Sequence, residues 1–178
     1  MTPRILVAGI GNIFLGDDAF GSEVARLLLR RSWPGSIRVE DFGIRGFDLT
    51  LALTDGYDTV ILIDATPRGG QPGTLYTIEA DLSDIDDMSP EQAGVETHGM
   101  NPVRVLAVSK SMGALFRKIF VIGCEPALET IDPDGPGEMG LSVPVRQAVE
   151  EAVTLIDCLI AQLTSEASRA QMQTTGGI

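Results

Sequence analysis

The 178-residue sequence sets 25 acidic against 13 basic side chains, a net charge of −12, with 44% hydrophobic and 21% charged residues. That size suits one domain with a sizeable core, and the acidity argues against nucleic acid or an anionic membrane as partner. No apolar run reaches the ~20 residues of a membrane span, and a first strand starting at residue 4 leaves no room for a signal peptide. Cys124 and Cys158 form neither a disulfide framework nor a CxxC pair, so the chain is expected in the cytoplasm.

The run RILVAGI, residues 4–10, predicts a strand covered on both faces. It empties into GIGNIFLGDDAFG, Gly9 to Gly21. A helix is expected over 19–31, where Phe20, Val24, Leu27 and Leu28 recur at helical spacing. A second strand is expected at 36–42, then a loop punctuated by Gly43 and Gly46, then a short helix at 47–54. DTVILIDA, residues 58–65, predicts a third strand ending in Asp64. The 67–73 connection is too short for a helical crossover, so a fourth strand at 74–79 should run antiparallel to its neighbour.

After an acidic stretch over 80–99, a helix is expected from Pro102 to about Met112, then a fifth strand at 118–124. A loop rich in proline and glycine fills 125–142. A last helix at 143–163 carries Val145, Val149, Ala152, Ile156, Ile160 and Leu163 on one face. The polar residues 164–178 are expected to form a frayed tail, leaving a single domain over 1–163.

Such alternation gives a three-layer α/β/α sandwich. Ligands of these sheets sit at the carboxyl ends of the strands, where strand order reverses. That crevice, between the first and third strands, receives Asp17 and Asp18 from one side and Asp64 from the other. A phosphate does not suit it. A dinucleotide loop starting at Gly9 needs glycine where Phe14 stands, a Walker loop needs Gly-Lys-Ser/Thr, and two carboxylates repel an anion. Asp17 and Asp18 read either as caps and first-turn acids of the helix or as ligands. Asp64 has no helix after it to cap. His98, the single histidine, reads as a surface or capping residue, or as the nitrogen donor of an O/O/N site for a divalent ion with open coordination positions.

The blocks GIGNIFLGDDAFG, DFGIRGFDL, VILIDA, ETHGMNPVRVL, VIGCEP and GLSVPVRQAV occur in the order found in the maturation endopeptidases of nickel–iron hydrogenases. Over residues 4–163 the sequence resembles that family. The resemblance implies a phosphorylase/hydrolase-like sandwich on a five-stranded mixed sheet, order 2-1-3-5-4, with the fourth strand antiparallel. It implies removal of a C-terminal extension from the hydrogenase large-subunit precursor after nickel insertion, by a monomeric enzyme.

The family's three metal ligands would fall on Asp18, Asp64 and His98, acting in a metal-mediated hydrolysis. The ion would be the substrate's own nickel, with zinc or cadmium able to substitute. A substrate loop would fall on Asp41, Gly43, Arg45 and Gly46. Arg45, where relatives often carry a small or polar residue, reads either as the partner of a surface acid or as a reader of a substrate carboxylate. Two rivals come from other classes: a non-catalytic metal- or partner-binding module, and a nucleotide-binding α/β protein.

Overall fold

The first strand, β1 (Ile5–Ile10), is buried at every position, as a central strand covered on both faces requires. A computed structural model describes residues 2–83, 102–131 and 139–175. After β1 come a 3-10 turn (Gly16–Ala19), α1 (Phe20–Leu28), β2 (Ile37–Gly43), α2 (Gly46–Leu53), β3 (Thr59–Ala65) and β4 (Leu75–Glu79). The order continues with α3 (Pro102–Ser111), β5 (Lys118–Cys124), a second 3-10 turn (Leu128–Thr130) and α4 (Val143–Thr175).

The five strands form one sheet in the order β2-β1-β3-β5-β4. The pairs β1–β2, β1–β3 and β3–β5 are parallel, and β4 lies antiparallel on β5. The short turn between β3 and β4 forces that antiparallel edge, as expected. The sheet reverses direction of growth between β1 and β3, whose carboxyl ends therefore open the central crevice.

Alternation along each strand sends side chains to two cores. Ile5 and Val7 of β1 and Ile61 and Ile63 of β3 pack with Phe20, Val24 and Leu28 of α1 and the inner face of α4. Leu6 and Ala8, with Val60 and Leu62, face Leu49 and Leu53 of α2 and Val105 and Leu106 of α3. The molecule is thus the three-layer sandwich, with α1 and α4 on one face and α2 and α3 on the other.

Two boundaries differ from the sequence reading. The expected helix over 19–31 is shorter, and a 3-10 turn carrying both Asp17 and Asp18 precedes it. The last helix does not end at residue 163 but continues to Thr175. Its apolar face ends at Leu163, yet residues 164–175 hold no glycine or proline and several good helix formers. The Lys118 ammonium also meets Glu166 at 3.2 Å, tying the extension to the start of β5.

Candidate active site

The approach of α1 to the sheet explains the last glycine of the opening block. A Cβ on Gly21 would stand 2.0 Å from the Ile63 carbonyl oxygen and 2.2 Å from that of Ile10. Only a residue without a side chain lets the helix entrance lie against the ends of β1 and β3. The 3-10 turn just before it is thereby held at the crevice.

Asp18 stands on this turn. Its Oδ2 accepts the Asn12 amide N–H at 2.7 Å. Among the described residues Oδ1 takes no hydrogen bond. Burial raises the Asp18 pKa above the ordinary 3.8, against the opposing pull of the Asn12 amide. Asp64 closes β3 after Val60–Ile63, all buried. Burial holds its carboxyl well above the usual range, and the negative charge of Asp18 pushes it further the same way. The Ala65 amide opposes both.

The fold therefore brings two residues 46 positions apart in sequence (64 minus 18) into electrostatic contact at the sheet's switch point. The Asp18 carboxylate disfavours the charge of Asp64, and a cation beside them would relieve that strain. That donor set fits a hard or borderline divalent ion. His98 lies outside the described residues. Among those described, no group of three or more histidine, cysteine or acidic side chains could hold a metal ion.

Asp17 behaves differently from the cap it resembles in sequence. Neither the 3-10 turn nor α1 receives a side-chain cap. The Asp17 carboxylate is fully buried and accepts Ala127 N–H at 2.8 Å, Ser142 N–H at 2.7 Å and Ser142 Oγ–H at 2.8 Å. These partners lie 110 and 125 residues away, beyond the reach of any local pattern.

The loop DFGIRG borders the crevice on the β2 side. Asp41 Oδ1 accepts Ser22 Oγ–H at 2.7 Å and Gly43 N–H at 3.0 Å, which ties the loop to α1. Gly43 has φ +55°, and a Cβ there would meet nothing nearer than 3.6 Å. The glycine serves the left-handed turn here. Gly46 opens α2. The Arg45 guanidinium donates to the carbonyls of Asp41 and Phe42 and meets Asp48 at 3.2 Å, so the surface-acid reading describes the structure. A cleft of about 240 Å³ runs between this loop and the β1 exit, with Asn12, Phe14, Asp41, Gly43, Ile44 and Arg45 on its walls.

Glu125, at the end of β5, was not singled out in the sequence. It is 2% exposed. It accepts the amides of Arg68 and Gly69 at 2.9–3.0 Å and the Tyr76 hydroxyl at 2.7 Å. The Tyr76 hydroxyl and these amides lower its pKa. Glu125 thus shapes the turn that leaves Asp64 and leads into β4. Its neighbour Cys124 is buried, and burial with the charge of Asp17 pushes the thiol up to about 12. A thiol in that state is no nucleophile at neutral pH.

A mixed sheet of this order, with an acid pair at its switch point, defines an α/β protein whose crevice opens at the carboxyl edge of its strands. A sequence model of the hydrogenase maturation protease family (HycI) matches residues 23–157. The chain is 31% identical to the hydrogenase expression/formation protein HupM of Azotobacter chroococcum mcd 1, over 90% of this chain and 73% of that protein. Among solved structures it is similar to the hydrogenase-maturating endopeptidase HybD from E. coli, with TM-score 0.68, 25% identity and coverage of 89% and 93% of the two chains. It is also similar to a hydrogenase 2 maturation peptidase from a Thaumarchaeota archaeon, with TM-score 0.62, 32% identity and coverage of 86% and 95%. The chain belongs to the hydrogenase maturation protease family and is by that membership a peptide-bond hydrolase. The binding-module and nucleotide-binding readings give way to it.

Proposed function

We propose that this protease cuts the C-terminal extension from a nickel–iron hydrogenase large-subunit precursor once that precursor carries nickel. The observation that supports this most is the strain on Asp64, whose charge burial and the Asp18 carboxylate both disfavour at the carboxyl ends of β1 and β3. A protein that keeps two carboxylates together against burial and repulsion stores an affinity for a cation. A nickel ion seated in the substrate would meet that affinity, so recognition and maturation state become one event.

In this reading Asp18, Asp64 and His98 bind the substrate's nickel, His98 through a neutral imidazole nitrogen. Zinc or cadmium would occupy the same donors. Beside the ion, the scissile carbonyl or a water is polarised, and a carboxylate accepts the proton lost as water adds to the carbonyl carbon. The proton goes to the leaving amine when the C–N bond breaks. The loop with Asp41, Gly43, Arg45 and Gly46 forms one wall of the peptide's path, and exposed Phe14 and Ile44 supply apolar contact on either side of the cleft.

The proposed working unit is a monomer. The cytoplasm is the proposed location, and the free thiols Cys124 and Cys158 suit its reducing conditions. No described helix is long and apolar enough to cross a membrane.

The test is incubation of the protein with matched nickel-loaded and nickel-free large-subunit precursors, followed by mass spectrometry. Loss of the C-terminal peptide only from the loaded precursor supports the reading. Equal cutting of both, or of neither, would sink it.

A further inference from the structure

Asp17 is a buried carboxylate whose chemistry the proposed reaction leaves unused. Its two oxygens take three donors, from Ala127 and from the amide and hydroxyl of Ser142. Its own N–H donates to Thr130 Oγ1 at 3.2 Å, and Thr130 Oγ–H in turn donates to the Ala127 carbonyl at 2.7 Å. One side chain thereby joins both described ends of the β5–α4 connection to the 3-10 turn. An asparagine could not do the same, because its amide offers one acceptor oxygen where the carboxylate offers two.

The next residue is Asp18, held on its other side by the Asn12 amide at 2.7 Å. The turn between them has no capping side chain of its own. The direction in which Asp18 points is therefore fixed from two sides: by Asn12 on the β1 exit loop, and by the Asp17 clamp on the connection before α4. Both anchors must hold for Asp18 to face Asp64.

We infer that Asp17 is a positioning residue for the reaction, aiming the Asp18 carboxylate by clamping its turn to Ala127 and Ser142. This rests on the reading of Asp18 as a working carboxylate. A clamp that only closed the loop would change stability and leave turnover per folded molecule alone. A clamp that aims Asp18 lowers kcat per folded molecule, and raises KM as well, because Asp18 also holds the substrate's nickel in the proposed reading.

The experiment compares Ser142→Ala, which removes one of the three bonds, with Asp17→Asn and with the core variant Ile160→Val as a stability control. Each is assayed on nickel-loaded precursor at a temperature where it is fully folded. The Asn12 amide proton is followed by NMR with no metal or precursor present, because it reports the bond to Asp18 directly.

The expected result is a several-fold fall in kcat for Ser142→Ala and a fall of about 10–100-fold for Asp17→Asn, typical of losing an outer partner of a site. The Asn12 resonance should move in both variants, and Ile160→Val should change neither readout. Wild-type kcat with an unmoved Asn12 resonance in Ser142→Ala and in folded Asp17→Asn would overturn the inference. If Asp17→Asn does not fold, Ser142→Ala decides alone by the same two readouts. Wild-type turnover in Asp18→Asn would instead overturn the reading of Asp18 itself. The metal-free resonance separates that failure from a failure of the clamp.

Discussion

The charge of Asp18, on the turn after β1, reaches Asp64 on β3 and adds to burial in lifting the Asp64 pKa well above 3.8. The pair is unfavourable to the fold and useful to a cation. A carboxyl whose folded pKa is raised binds its proton more tightly folded than unfolded. Stability therefore falls as pH rises from the unfolded value through the folded one.

Replacing Asp64 by Asn keeps the side-chain volume and removes the charge. Processing of a nickel-loaded precursor should be abolished. The melting temperature should rise at neutral pH, by about 2–4 °C for each kcal/mol of strain relieved in a chain of this size. The gain should shrink as pH falls from the folded pKa towards 3.8 and vanish below it, where the wild-type carboxyl is protonated in both states. Calorimetry at several pH values checks the sign, and a variant that is active and no more stable would contradict both halves.

Glu125 predicts the opposite pH behaviour. Its pKa is lowered from 4.5 by the Tyr76 hydroxyl and the amides of the 68–70 turn. The stability it contributes is present above 4.5 and is lost as pH falls through the folded pKa. Glu125→Gln should melt earlier than wild type at pH 7 and converge on it in acid. It should also loosen the turn that connects Asp64 to β4, so hydrogen exchange at the Arg68 and Gly69 amides should speed up. An unchanged exchange rate would mean that the turn holds itself.

Gly21→Ala should be among the most damaging small substitutions in the chain. Its methyl group would have to displace the carbonyls of Ile63 and Ile10, which belong to central strands and cannot swing aside. Overpacking a core commonly costs about 1–3 kcal/mol, and an obstruction made of sheet backbone should reach or exceed the upper end. Urea denaturation measures the loss. A near-wild-type midpoint would show that α1 can slide away from the sheet without penalty.

The strands and the antiparallel direction of β4 were legible because each strand is a short apolar run and because the 67–73 turn left β4 no choice of direction, whereas the strand order came from the family resemblance. Asp64 was legible for a related reason: a charge directly after four buried apolar residues has little local work to do. Asp17 and Glu125 were not. Their partners are main-chain amides and hydroxyls more than 45 residues away, and an amide carries no residue-type signature. The end of α4 was misjudged at Leu163 because the apolar face stops there, while helix propensity and the Lys118–Glu166 pair carry the helix further.

Acid should stop the reaction, and free metal should not start it. Asp18 and Asp64 must both be ionised to hold a cation, and their raised pKa values mean that protons compete for them at a higher pH than for ordinary aspartates. His98 must be neutral, so its protonation near an unperturbed pKa of ~6.5 adds to the competition. Processing of nickel-loaded precursor should therefore fall as pH drops below neutrality, and weakening of cadmium binding to the protein alone should follow the same curve. Adding zinc or nickel to the protein should leave a nickel-free precursor uncut, because in the proposed reading the ion is part of what is recognised. A peptidase with its own resident zinc behaves in the reverse way: a chelator silences it, and returned zinc restores it whatever the precursor contains. Restoration of cutting by free zinc on a nickel-free precursor would reject the substrate-borne ion and keep the peptidase.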